Sequence, residues 1–226
     1  KNFITMKDLK KKTSALLKIV AFLYVPMLIC AVIIMAYSFF MKEQPNPAIT
    51  LSISILWAPF FLYYYKKHRP ETIIPHYALS FKYMVAALLL GVVWHLTTYL
   101  LEPFNPLPDV SHITSIYVWI LLFVETVLFA PVLEELFFRQ WVPSYMSKYG
   151  FSYKSRLIVS SFLFYSVHWQ AVVLPHWYYR VDTLVVGALL YVFYTHTKDI
   201  RYCIIAHSVS NAILLIFEHS LTEIVF

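Results

Sequence analysis

Seven stretches of this chain are apolar enough to leave water and long enough, or nearly so, to span a bilayer. They cover roughly residues 14–41, 50–65, 79–101, 116–142, 155–175, 181–197 and 200–218. A membrane-crossing helix needs about 20 mostly apolar residues. Inside hydrocarbon no water satisfies the backbone, so each stretch must make its own hydrogen bonds, and a helix does that. The rest of the chain agrees. It is 60% hydrophobic, 19% aromatic and 13% charged, with a mean hydropathy of +0.66. A soluble domain carries about twice that share of charge, so an ordinary water-soluble domain and a disordered chain are both excluded. The expectation is an all-α, polytopic integral membrane bundle of seven or eight helices. It forms a single domain over 1–226, with its chemistry between 125 and 215. The first run is too long for the apolar core of a signal peptide and reads as a retained helix.

The charges in the connections order these spans. Lys1, Lys7, Lys10, Lys11 and Lys12 precede the first run, and Lys66, Lys67 and Arg69 follow the second. Lys148, Lys154 and Arg156 precede the fifth, and Lys198 and Arg201 flank the start of the seventh. Between these basic joints lie connections with no cationic excess, including 102–112 with Glu102 and Asp109. Cytoplasmic loops carry the Lys/Arg excess. The alternation therefore puts the N-terminus in the cytoplasm and the C-terminus outside. The net charge of +6 is then a property of loops facing a lipid bilayer, and no nucleic-acid partner is expected. The aromatic joint Pro175-His176-Trp177-Tyr178-Tyr179 suits a membrane–water boundary or a short eighth helix.

Cysteine and glycine usage removes several site types. Cys30 and Cys203 stand far apart with no CxxC spacing, so neither a disulfide framework nor a thiolate zinc site is expected. The three glycines, Gly91, Gly150 and Gly187, are isolated, which excludes a phosphate-cradling loop and glycine-flanked serine or aspartate sites. No His-Glu dipeptide occurs, so a zincin helix is absent.

Ionisable groups inside a bilayer are costly, and each is a candidate for function. The fourth run holds Glu125, Glu134, Glu135 and Arg139. The fifth holds Phe164 and His168, the seventh His207 and Asn211, and the third His95. Glu135 and Arg139 stand four apart, so they share a helix face and can pair. Glu134 is turned about 100° away and must find another partner, which suits a general base or acid. Phe164 and His168 share a face, as do His207 and Asn211. The last pair could hold an oxyanion or serve as interhelical glue. An ion-pair cluster that only fixes packing is the plain alternative for the first group. His95 has no patterned companion and reads as packing, while Glu125, nine positions before Glu134, falls about 180° around the helix and serves a different contact or the outer aqueous edge. If the three faces converge, they supply a base, a cation and oxyanion donors, the inventory for hydrolysing an amide. Depth is the difficulty: counted along its helix, His168 lies roughly 8–10 Å deeper than Glu134 and His207.

The ordered set Glu134-Glu135-x-x-x-Arg139, Phe164-x-x-x-His168 and His207-x-x-x-Asn211 resembles the three motifs of the CPBP intramembrane proteases. That family includes the CAAX prenyl endopeptidases and the Abi proteins of bacteriocin processing and immunity. The resemblance implies peptide-bond hydrolysis by activated water. Glu134 and His168 would activate the water, and His207 and Asn211 would hold the oxyanion. Glu135 and Arg139 would orient the first helix, and Phe164 would shape the pocket. It favours no cofactor. A divalent metal such as zinc, if used, would be held by Glu134, His168 and His207, whereas Asn211 is a poor zinc ligand. The implied substrate is a membrane-associated peptide or protein precursor, with a peptide exporter or signalling protein as a further partner. The Lys-, Ile- and Tyr-rich, Gly-poor composition fits an AT-rich bacterial genome and a plasma membrane. Two rival classes are a non-catalytic immunity or scaffold protein of the same fold, and a proton- or ion-coupled transporter. No internal repeat supports the transporter.

Overall fold

The computed structural model describes residues 5–41, 62, 63, 65, 78–100, 116–168 and 181–223. Every element among them is helical. In chain order they are α1 (Met6–Met41), α2 (Phe81–Leu100), α3 (Ile116–Phe123), α4 (Ala130–Glu135), α5 (Val142–Lys148), α6 (Tyr153–His168), α7 (Val181–Thr197) and α8 (Ile200–Glu223). A first π-turn, Val124–Phe129, joins α3 to α4, and a second, Leu136–Trp141, joins α4 to α5. The expected fourth span is thus one helical run broken twice into a wider coil. Most of 50–65, all of 169–175 and the aromatic joint at 175–179 lie outside the described residues. Among those described, α2 alone is long and apolar enough to cross a membrane. α7 and Ile200–Ile216 are apolar but shorter.

The chain divides into two compact units. The first comprises Lys1–Pro70 and Trp141–Arg156. Its long helix starts on a reciprocal cap: Thr5 Oγ1 donates to Asp8 Oδ2 at 2.6 Å, and the Asp8 N–H donates back to Thr5 Oγ1 at 3.2 Å. That pair satisfies donors that a helix start leaves orphaned. The cap, with the neighbouring Lys11 and Lys12, holds the Asp8 carboxyl below its usual range, the Thr5 hydroxyl bond contributing most. Ala15, Ile19, Phe22 and Leu23 form one buried stripe at helical spacing, and α1 packs on α5. Phe22 meets the Trp141 ring at 5.3 Å. α5 stops at Gly150, whose φ of +69° is the left-handed conformation glycine adopts without strain. There the Gly150 N–H reaches Ser147 O and the Phe151 N–H reaches Met146 O, closing the orphaned carbonyls. Ser152 then caps α6 through the Ser155 N–H at 3.2 Å.

The second unit, Glu71–Gln140 with Leu157–Phe226, carries all the motif residues. α2 packs along α8. Their close approach depends on Gly91, where a Cβ would stand 2.5 Å from Ala206 O and 2.9 Å from the Val209 side chain. Gly187 does the same for α7 against α6: a Cβ there would be 3.2 Å from the Phe164 ring and 3.3 Å from Ser161 Cα. Lys198, at φ 57°, turns the chain from α7 into α8. Asp199 caps α8 by accepting the Arg201 N–H at 3.0 Å, and it also binds the Arg201 guanidinium at 2.6 Å. Such small-residue contacts let helix backbones approach where no hydrophobic effect drives them together.

Candidate active site

Glu134 leaves α4 one residue before Glu135, so the two carboxylates point to different neighbours. Glu134 Oε2 lies 3.6 Å from His168 Nε2, too far for a hydrogen bond and close enough for one bridging water. Both side chains keep partial exposure, 26% and 21%. Glu134 Oε2 itself is buried, so the exposure lies on other atoms of the pair. Glu135 and Arg139 are fully buried, with Arg139 Nε 3.0 Å from Glu135 Oε2. Glu135 Oε1 takes the buried His207 Nδ1 at 3.0 Å. One carboxylate thus joins the cation on its own helix to the histidine of α8.

The hydrogen bonds set both imidazole tautomers. His168 Nδ1 faces the Phe164 carbonyl at 2.8 Å. A carbonyl only accepts, so Nδ1 carries the proton and Nε2 turns a lone pair toward Glu134. His207 Nδ1 faces a carboxylate, so it too donates and leaves Nε2 for the site. The donor atoms of Glu134, His168 and His207 lie within 4.8 Å of one another. No cofactor is established for this chain, but two imidazole nitrogens and a carboxylate, each imidazole steadied through its other nitrogen, are a donor set that suits a zinc-type cation. The anticipated depth mismatch is therefore closed. α6 runs as a regular helix from Tyr153 to His168, and its last residue still meets Glu134.

Phe164 is the hub under the histidines. Its ring centroid lies 4.4 Å from that of His168, and the Arg139 guanidinium sits 4.3 Å above it. That cation–π contact places charge against the ring face without exposing it to water. Trp94 of α2 covers the other histidine, its centroid 4.9 Å from that of His207. The sequence reading singled out the neighbouring His95, which is buried, and passed over Trp94. Gly91, one turn earlier, was the available signal, because it permits the close helix approach. Asn211 is engaged with the backbone of the first π-turn. Its Nδ2 donates to the Thr126 carbonyl at 2.7 Å, and the acceptor dictates which end of the amide faces it. Its other N–H has no hydrogen bond to the described residues. Thr126 and Ser160, whose hydroxyl bonds the Phe138 carbonyl, also escaped notice. Glu125 sits in the first π-turn, outside the Glu134–His168–His207 group.

The site sets a partly exposed carboxylate and imidazole beside a second imidazole that a buried carboxylate and guanidinium back. Residues 116–213 match the family model of the Rce1-like type II CAAX prenyl endopeptidases, within the CPBP/CAAX protease family that the three motifs resemble. The matched segment holds Glu134, Glu135, Arg139, Phe164, His168, His207 and Asn211 and leaves α2 outside. No curated protein and no solved structure matches the chain. The family match supports a peptidase, and membrane localisation is consistent with that family and with the apolar α2.

Proposed function

We propose that the chain is an intramembrane endopeptidase that hydrolyses a peptide bond of a membrane-associated peptide or precursor. The observation that carries this is the Glu134–His168 pair, two acceptor atoms 3.6 Å apart at a partly exposed position. A water that donates one O–H to each would be held and polarised by both. Glu134 takes the proton as the oxygen attacks the scissile carbonyl, and it returns that proton to the leaving amine. His207 Nε2, protonated and backed by the Glu135 carboxylate, donates to the developing oxyanion together with the second N–H of Asn211. Phe164 and Trp94 hold the imidazoles by their faces. A divalent cation bound by Glu134, His168 and His207 would supply Lewis-acid polarisation of the same water.

The topology we infer has seven crossings, with the N-terminus cytoplasmic and the C-terminus outside, in a bacterial plasma membrane. By analogy with the family the substrate is a short precursor, such as the leader of a bacteriocin or signalling peptide. The test is cleavage of membrane-associated peptides in liposomes, including a hydrophobic leader and a prenylated CAAX peptide. Native chain, Glu134→Ala and His168→Ala are compared with and without chelator. Loss in both variants with chelator-resistant native activity supports the metal-free mechanism. Loss in chelator that added zinc reverses assigns the trio to a cation. No cleavage of any peptide by the native chain refutes the peptidase reading.

A further inference from the structure

The helical run that carries Glu134 contains two π-turns, and each is followed at the second position by a proline. Pro131 follows the turn ending at Phe129, and Pro143 follows the turn ending at Trp141. In a π-turn the carbonyl of residue i is taken by the N–H of residue i+5. In the first turn the Ala130 N–H serves Glu125 O. The next bond would run from residue 131 to Thr126 O, but proline has no N–H. The N–H that an α-register would have offered Thr126 is already spent at Glu125. Thr126 O is left over within a packed bundle, where an unpaired carbonyl is costly. Asn211 Nδ2 fills it at 2.7 Å.

The second turn repeats the offset. Phe138 stands five residues before Pro143, as Thr126 stands five before Pro131. In the π register the Val142 N–H serves Phe137, and Phe138 is left facing a proline nitrogen. Its carbonyl accepts the hydroxyl of Ser160. The two acceptors lie on either side of Glu134 in sequence. The two donors come from the helices that carry the histidines. Ser160, Phe164 and His168 follow one another at four-residue steps on one face of α6. His207 and Asn211 do so on α8.

We infer that Pro131 and Pro143 are positioning residues: each frees one backbone carbonyl, and the two carbonyls tie the helices of His207 and His168 to the helix of Glu134. Apolar side chains alone would let these helices slide against one another. A single carbonyl capturing a single donor sets the register. The inference rests on the peptidase reading for its purpose but not for its geometry.

Two double-mutant cycles test it. Pro131→Ala supplies the missing N–H to Thr126, so Asn211→Ala should cost less in that background than in the native chain. Pro143→Ala and Ser160→Ala should behave alike. Each pair is expected to couple by about threefold to tenfold in the unfolding equilibrium constant, the worth of one hydrogen bond. The crossed pair, Pro131→Ala with Ser160→Ala, should show independent effects. Turnover should separate positioning from folding. kcat should fall in Pro131→Ala and in Ser160→Ala with KM retained, and Ser160→Thr, which keeps the hydroxyl, should restore it. Independent effects within both pairs, equal coupling in the crossed pair, or an unchanged kcat would each overturn the assignment. The unfolding cycles need no turnover, so a chain that cleaves nothing sinks the peptidase reading and still decides this one. A proline variant that does not fold is replaced by amide exchange in native protein labelled with 15N-asparagine. One Asn211 side-chain proton should exchange about tenfold slower than its twin, and equal rates would overturn the tie.

Discussion

Replacing Glu135 with glutamine separates the two jobs its carboxylate holds. The side chains of Glu135, Arg139 and His207 are 0%, 0% and 1% exposed. The pair therefore belongs with buried ions and not with surface bridges worth about 0–1 kcal/mol. Removing one partner of a buried pair costs about 3–5 kcal/mol, because the other charge is left uncompensated. That is a large share of a typical stability of about 5–15 kcal/mol. The amide can still accept from one neighbour, but its NH2 then points at a second donor. Glu135→Gln should lose about 3–5 kcal/mol in equilibrium unfolding in mixed micelles. It should also lose about 10²–10³-fold in kcat, the usual worth of one oxyanion donor, because His207 no longer has a charge behind it. Adding Arg139→Met removes the stranded cation and keeps a polarisable group over the Phe164 ring. The double variant should recover most of the stability and none of the turnover. If it recovers turnover too, the carboxylate serves only helix packing. If Glu135→Gln costs less than about 1 kcal/mol, the pair is not desolvated and the reasoning fails.

Two further outcomes follow from the geometry. Gly91→Ala should destabilise by about 1–3 kcal/mol, as overpacking does, and lower kcat. The new methyl meets the Ala206 carbonyl, a backbone atom that cannot rotate away, so Trp94 must shift off His207; native-like unfolding and turnover would refute this. At the start of α1, the Asp8 carboxyl is held below its usual range chiefly by the Thr5 hydroxyl. The stability this adds is present above the ordinary carboxylate range and is lost as pH falls through the lowered value. Amide exchange at residues 6–9 should therefore quicken at acid pH beyond its intrinsic trend, and Asp8→Asn should remove that step.

The helices were legible because each long apolar run leaves the backbone no other solution. Val181–Thr197 has the predicted bounds of 181–197, since Asp182 near its start and Lys198 beyond its end bracket an unbroken apolar stretch. The fourth run was not legible in the same way. Its apolar pattern continues from Ile116 to Trp141, but the coil widens twice, so steps of 100° no longer give the face of a side chain across those turns. For that reason the half-turn read between Glu125 and Glu134 does not carry across the first π-turn, and the partners of the Thr126 and Phe138 carbonyls were invisible. Pairing four residues apart held within the regular α6, where His168 stands over Phe164, and Glu135 meets Arg139 although the second π-turn begins between them. What Glu135 does beyond that pair depends on α8, 72 residues away, and no local spacing encodes it. Trp94 was missed because a tryptophan in an apolar run looks like any lipid-facing or core aromatic until its neighbour is known.

The two proline-freed carbonyls also impose an order in time. A ribosome delivers Thr126 and Glu134 before Ser160 and His168, and His207 and Asn211 after all of them. The Phe138 carbonyl waits only 22 residues of synthesis for its hydroxyl, whereas the Thr126 carbonyl waits 85 for its amide. During that interval the nascent chain has Glu134 and His168 but neither His207 nor Asn211. Arrival of α8 closes the Thr126 carbonyl and supplies His207 in a single docking event. On the proposed reading, a chain stalled before α8 lacks half of its site and hydrolyses nothing.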